Sequence, residues 1–275
     1  MKKPALFTIF SLLFVSFSFA QNFAANKQQI RIAKPLSCLE AGEELCYRVE
    51  WLGLPVGRIS IKNEGIRQFR GQPCYYLTAQ AYPNKFLSNF FNIRYSVESY
   101  LNRDSLCSLQ FVKDRVIDGQ RSRVVIQFFP ETNSAVFAAS GSSPSFKISA
   151  LRSKIEKDYP ATRKIPARTQ DLLSSFYYFR LQDVNSSQGV PINIYYNQRN
   201  FPLKMFVSQP FVREVRRKGA FPVFRIFPDS SINEYILGGR KFEVYLTADS
   251  RRIPIEFRLS TSLGSMRAII EDVPQ

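Results

Sequence analysis

Leu45-Cys46-Tyr47-Arg48-Val49-Glu50-Trp51 alternates apolar and polar residues, Leu52-Gly53-Leu54-Pro55-Val56-Gly57 interrupts the pattern, and Arg58-Ile59-Ser60-Ile61-Lys62 resumes it. A period of two sends successive side chains to opposite faces of an extended chain, so this stretch predicts a β-hairpin with one face in a core. The same rhythm recurs over residues 74–82, 93–101, 106–113, 121–129 and 134–139, with turns at Asp118-Gly119 and at Pro130-Glu131-Thr132-Asn133.

Residues 141–168 are polar and punctuated by proline, and the segment after them breaks the β rhythm. Gln170-Asp171-Leu172-Leu173-Ser174-Ser175-Phe176-Tyr177-Tyr178-Phe179-Arg180-Leu181 spaces its apolar residues as a helix does, with Thr169 as the expected N-cap. Apolar side chains lie around most of its circumference, which predicts burial. Alternation returns over residues 190–196, 203–207, 212–217, 223–226, 241–247, 253–259 and 266–270, with turns at Gly238-Gly239 and Ala248-Asp249-Ser250. Two architectures fit these elements: one large antiparallel, strongly curved sheet or barrel wrapped around a single buried helix, or two sandwiches joined by a helical link. The first is preferred, because no Pro/Ser-rich linker divides the chain.

Lys2 and Lys3 precede an apolar run of about 15 residues, and Ser18-Phe19-Ala20 offers small residues at a cleavage site, the pattern of a secretory signal peptide cut after Ala20. The run is shorter than the ~20 residues a membrane-spanning helix needs. Cys38 lies too far downstream for lipidation at that site. The expected organisation is a signal peptide at 1–20, an N-terminal extension at 21–41 and a single β-rich domain at 42–273, with a periplasmic or envelope location.

Lys and Arg number 38 against 22 Asp and Glu, a net charge of +16, and histidine is absent. Without histidine there is no Ser-His-Asp or Cys-His catalysis and little scope for catalytic zinc. Glycines sit between strand-like runs rather than in phosphate-binding loops, so neither metal nor cofactor is expected. The positive charge favours anionic partners, a lipid or anionic glycan, while export argues against nucleic acid. The four cysteines, Cys38, Cys46, Cys74 and Cys107, suggest two disulfides in an oxidising compartment, with the connectivity open. If the strands meander in order, one strand separates Cys46 from Cys74, too far for a bridge.

Gly42-Glu43-Glu44-Leu45-Cys46-Tyr47-Arg48-Val49-Glu50-Trp51 with Gly53 and Gly57, the helix from Asp171 to Arg180, and Asp249-Ser250-Arg251-Arg252-Ile253-Pro254-Ile255 leading to Gly264-Ser265-Met266 resemble the DUF3108 family of exported bacterial proteins. The likeness spans about Gly42 to Ile270. It departs at Leu172, where that family often has a proline. The resemblance implies an envelope β-protein of bacteria and carries over no functional residues, since the family has no assigned activity.

Three groups of residues are candidates for a site. Arg213, Arg216, Arg217 and Lys218 form a basic cluster flanked by Phe211 and Phe221, and Arg251-Arg252 form a second; guanidinium forks hold phosphate or carboxylate, although solvated turns also carry such charges. Phe86, Phe90 and Phe91 cluster between two predicted strands, as the lid of an apolar cavity or as a core plug. Glu98, Asp104, Asp114, Asp118 and Asp171 are the acid/base material available for a glycosidase-like pair, and surface charges on strands explain them more simply. The preferred function is non-catalytic binding of an amphiphilic or anionic envelope molecule, with the phenylalanines at the acyl part and the arginines at the head group. The alternatives are a structural or assembly factor that contacts another envelope protein through a sheet edge and, third, an outer-membrane β-barrel.

Overall fold

The opening hairpin forms as the alternation requires: β1 (Glu44–Trp51) pairs with β2 (Leu54–Phe69), Tyr47 opposite Ile59. The structure, a computed structural model, describes residues 39–89, 92–141, 161–184, 189–215, 218–229, 241–261 and 264–272. The expected signal peptide at 1–20, Cys38, Phe90, Phe91, Arg216, Arg217 and the turn expected at Gly238-Gly239 lie outside these residues.

The chain continues through β3 (Gln72–Pro83), a one-turn helix α1 (Lys85–Ser88), β4 (Ile93–Asn102), β5 (Ser108–Ile117), β6 (Gln120–Phe129), β7 (Ser134–Gly141) and β8 (Ala161–Lys164). After the helix α2 (Leu172–Arg180) come β9 (Val190–Tyr196), β10 (Arg199–Val207), β11 (Phe211–Val215), β12 (Gly219–Pro228), β13 (Phe242–Thr247), β14 (Pro254–Thr261) and β15 (Gly264–Ile270). All fifteen strands join one antiparallel sheet in the order β8-β7-β6-β5-β4-β3-β2-β1-β15-β14-β13-β12-β10-β9, with β11 on β12. The first and last strands are neighbours, Val49 opposite Ala268, so the two halves of the meander are continuous.

The sheet curls without closing. Its edges, β8 and β9, do not pair with each other. A strap between β8 and α2 spans the gap: Gln170 N–H donates to Asn193 O at 2.7 Å, and Tyr195 N–H donates to Gln170 O at 2.8 Å. The amide of Asn200 reaches Lys164 O at 3.0 Å. Two turns show how short sequences set the pairing. Asp118 and Gly119 have φ of 48° and 81°, the left-handed pair that matches hairpin twist, and Asn197-Gln198 at 46° and 60° does the same between β9 and β10. Gly57 serves a close approach instead, since a Cβ there would stand 2.4 Å from Tyr82 O.

Inside the curl lies α2, which starts two residues later than the apolar pattern predicts. Its cap is Asp171 rather than Thr169, whose hydroxyl donates to Pro166 O at 2.6 Å. Asp171 Oδ1 accepts from Leu173 N and Ser174 N, both at 2.8 Å, and Ser174 Oγ accepts from Asp171 N. The second carboxylate oxygen accepts from Ser99 Oγ on β4 at 2.6 Å and from Ser108 Oγ on β5, so the cap also fastens the helix to the sheet. At the other end Arg180 forms a buried two-pronged pair with Glu43, 2.6 Å on each prong, and donates to Arg251 O. A nine-residue helix does not persist alone in water; ties at both ends and burial of Leu173, Tyr177, Tyr178 and Phe179 hold it.

Outward strand positions carry ion pairs. Glu50 takes both Arg48 and Arg267, Glu243 takes Arg225, and Asp114 takes Arg121 and Arg123. Apolar inside and charged outside is the reverse of a lipid-facing barrel. Among the described residues no helix is long and apolar enough to cross a membrane.

Candidate functional site: a basic recess in the curled sheet

Residues directly opposite one another across adjacent strands share a face, so the register of β3 to β7 gives the composition of the interior row by row. Near α2 the row is Leu77, Ser99, Phe111, Ile126 and Phe137; Ser99 bonds Asp171, and the four large side chains pack in one cluster with Leu173, Tyr177 and Tyr195. One step away from the helix it becomes Ala79, Val97, Lys113, Val124 and Ala139. The next is Ala81, Tyr95, Arg115, Ser122 and Gly141. Wall residues thus shrink as cationic ones enter. Inward-facing Ala139 is exposed, and Val97, Lys113, Arg115 and Val124 are half-buried, so solvent reaches this part of the interior.

A bulge sets which side chains turn inward. Leu101 faces Ser108 while Tyr100 faces Gln110, leaving Leu109 as the extra residue in β5. Ser108 therefore points in to Asp171, and the alternation from Phe111 onward carries Lys113 and Arg115 inward and Asp114 outward.

Across the recess, Tyr196 at the end of β9 lies with its ring centroid 5.6 Å from Lys113 Nζ. Among the described residues no carboxylate pairs with that ammonium. Burial, reinforced by the Arg115 charge, draws the Lys113 pKa from 10.5 down to about 8. Burial raises Tyr95 and Tyr196, so both phenols stay neutral donors. Arg115 Nε donates to Ser122 Oγ at 3.2 Å. Two cations and two phenols between small apolar walls, with no carboxylate on the Lys113 ammonium among the described residues, suit an anionic group attached to an apolar body. A second hollow, between Val49, Val56, Ile59 and Met266, has a volume of about 10 Å³, room for roughly one water and not for an acyl chain.

The sequence candidates fall elsewhere. Phe86 stands 68 % exposed on α1 at the rim of the recess end, while Phe90 and Phe91 lie outside the described residues. Arg213 pairs with Glu256 at 2.6 Å and stacks 3.9 Å over Tyr245 on the outer face. Arg251 pairs with Asp249 at 3.2 Å, and Arg252, fully buried, donates to Arg180 O and Gln182 O. The 251–252 turn sits at the Arg180 end of α2, so these arginines and Phe86 are not brought to one site. Arg216 and Arg217 lie outside the described residues. The carboxylates do not face one another across a cleft: Asp171 caps α2, Glu98 accepts from Tyr76, Asp104 pairs with Arg103, and Asp118 accepts from Asn92 N.

Among the described residues no disulfide joins the candidates: Cys46, Cys74 and Cys107 are free thiols, and Cys38 lies outside them. Cys46 faces Ser60 and Cys74 faces Arg67 along β2, seven residues apart, or roughly 20 Å of strand, so these two cannot meet. Burial also lifts the Cys74 thiol to about 11, the opposite of an activated nucleophile. Among the described residues no group of His, Cys, Asp and Glu is placed to hold a metal ion.

Lys113, Arg115, Tyr95 and Tyr196 escaped the sequence reading. Val112 and Val116 are apolar as well, so alternation alone does not say which face of this strand is inside. The bulge at Leu109, visible only in the pairing, decides it.

The fold has solved counterparts. The chain is similar to a β-barrel-like DUF1849 protein from Brucella abortus, at 10% identity and TM-score 0.52, covering 86% of this chain and 100% of that one. Looser likenesses are a candidate exported protein with YmcC-like fold from Bacteroides fragilis (8% identity, TM-score 0.29, 89% and 100% covered) and a candidate lipoprotein from Parabacteroides distasonis (9%, 0.30, 90% and 100%). No curated protein matches the chain. Residues 46–271, from β1 to the end of the last strand, match the family described as "Protein of unknown function (DUF3108)", and the chain belongs to that family.

Proposed function

We propose that this protein is a non-catalytic binding protein of the bacterial envelope that takes an anionic amphiphile into the recess of its curled sheet. The observation that carries this is Lys113, an inward ammonium without a carboxylate partner among the described residues, kept at a cost in desolvation where an apolar residue would stabilise the fold. Arg115 supplies a second cation, and Ala79, Val97, Val124 and Ala139 provide small apolar walls. The head-group role expected of Arg213, Arg251 and Arg252 passes to Lys113 and Arg115. Export rests on the N-terminal Lys2-Lys3, apolar run and Ser18-Phe19-Ala20, which N-terminal sequencing of envelope-purified protein tests directly.

Native mass spectrometry of that protein, followed by titration with oleate and with lysophosphatidylglycerol, tests the reading. A charge-assisted contact contributes about 1.5–3 kcal/mol, so Lys113→Met weakens binding roughly 10- to 100-fold. No co-purifying amphiphile and no binding of either probe would refute it. The second reading, an assembly factor, draws on β11, which pairs only with β12 among the described residues and exposes Phe211 and Val212.

A further inference from the structure

We propose that the rim at the recess end is a docking surface for an anionic lipid bilayer. It is formed by the tip of the β1–β2 hairpin and by α1. Leu52 and Leu54 are 59 % and 68 % exposed, and Phe86 is 68 % exposed. The two elements are fixed side by side: Asn84 N–H donates to Val56 O at 2.9 Å, Leu52 N–H donates to Ser265 O at 2.8 Å, and Leu87 packs into the core, which turns Phe86 outward.

The hairpin tip itself indicates selection for an apolar surface. Leu52 and Gly53 have φ of 51° and 82°, a left-handed pair that asparagine or glycine occupies with less strain than leucine. The Leu52 side chain rests on the backbone of Gly264 at the start of β15 and still leaves most of its apolar surface to solvent. Charge complementarity identifies the occupant. Lys85 beside Phe86, Arg94 at the start of β4 and Arg199 at the start of β10 are exposed at the same end and have no acidic partner among the described residues. Among the described residues the acids near that end include Asp118, which accepts from Asn92 N, Asp229, and Glu50, which is buried and paired with Arg48 and Arg267. Three protruding apolar side chains with cations around them fit insertion at the head-group level. A stable protein partner would need a larger complementary face, about 800 Å².

The full chain, expressed with its own N-terminal segment and purified from the host envelope, is tested by co-sedimentation with phosphatidylcholine vesicles with and without phosphatidylglycerol. Binding is expected only with the anionic lipid and is expected to fall with added salt. Leu54→Ser with Phe86→Ser, both exposed and so neutral to folding, lowers binding about 30-fold. Lys85→Gln with Arg94→Gln lowers it about fivefold per charge. Lys113→Met, inside the recess, leaves vesicle binding unchanged, so the rim and the recess succeed or fail separately. Wild-type protein that ignores anionic vesicles, or rim variants that bind like wild type, would overturn the proposal. So would loss of vesicle binding in Lys113→Met alone, which marks lipid extraction into the recess instead.

Discussion

Replacing Lys113 with methionine is expected to stabilise the protein while weakening its binding of the proposed amphiphile, a combination a purely structural lysine does not give. The native amine titrates at about 8, against 10.5 for an unburied one. At about 1.36 kcal/mol per pKa unit, holding the charge in the recess costs up to about 3 kcal/mol. Lys113 is half-buried, so water screens part of that cost and about 1–3 kcal/mol is the working range. Methionine keeps the stem and drops the charge. For a domain of this size the gain corresponds to a rise in melting temperature of roughly 2–10 °C at pH 7. The pH dependence carries the sign. Below pH 8 both native and unfolded chains hold the proton and the native state bears the full cost. Between about 8 and 10.5 the native amine releases it while the unfolded one keeps it, so wild-type stability rises with pH. The advantage of Lys113→Met should therefore be constant below pH 8 and vanish by about 10.5. Differential scanning calorimetry of both proteins from pH 6 to 11 measures it, with oleate titration in parallel. A variant that melts below wild type at pH 7, or an advantage that does not shrink with pH, would refute the recess as described.

Two further outcomes concern the frame that holds the recess. Asp171→Ala removes a helix cap worth about 1 kcal/mol and strands the buried hydroxyls of Ser99 and Ser108, a total of about 3–5 kcal/mol read as a shifted urea midpoint; Asp171→Asn, which keeps the cap acceptor, should lose much less. Burial holds the Asp171 carboxyl above 3.8 despite its four hydrogen bonds, so wild type should gain on Asp171→Asn as pH falls through that raised value toward 3.8. Phe176→Ala should cost about 3 kcal/mol, at the low end for phenylalanine because the ring is half-buried, yet it stacks on Phe257 at 5.7 Å and joins two core clusters. Loss of less than 1 kcal/mol would mean the helix does not link those clusters.

Local chemistry determined much of this molecule before any contact was formed. Period-two alternation marks the strands, Asp118-Gly119 carries the left-handed pair its hairpin needs, and the apolar run at Leu172–Arg180 can only be a buried helix. Each is written in neighbouring residues, which is why it can be read from them. Short elements without such marks were missed: β8 is four residues, Ala161 followed by three polar ones, and α1 is a single turn. The chain alone also could not show that Asp171, a surface-type residue, is fully buried as the helix cap, because its partners Ser99 and Ser108 are far away in sequence.

Only tertiary structure decided the recess. Whether Lys113 and Arg115 face solvent or interior depends on one bulged residue, Leu109, and a shift of one residue exchanges the two faces of a strand. Ala79, Ala81, Ala139 and Gly141 come to share the inner face only because β3 to β7 align them in register, and Tyr196 meets Lys113 only because the curl brings β9 across from β5. Conversely, Arg213, Arg251 and Arg252, which stand out in the sequence, lie along strands and turns where Glu256, Asp249 and backbone carbonyls already occupy them. Pattern within a strand is set by its own residues. Which side chains share an interior is set by pairing between strands distant along the chain, and that is where the candidate site resides.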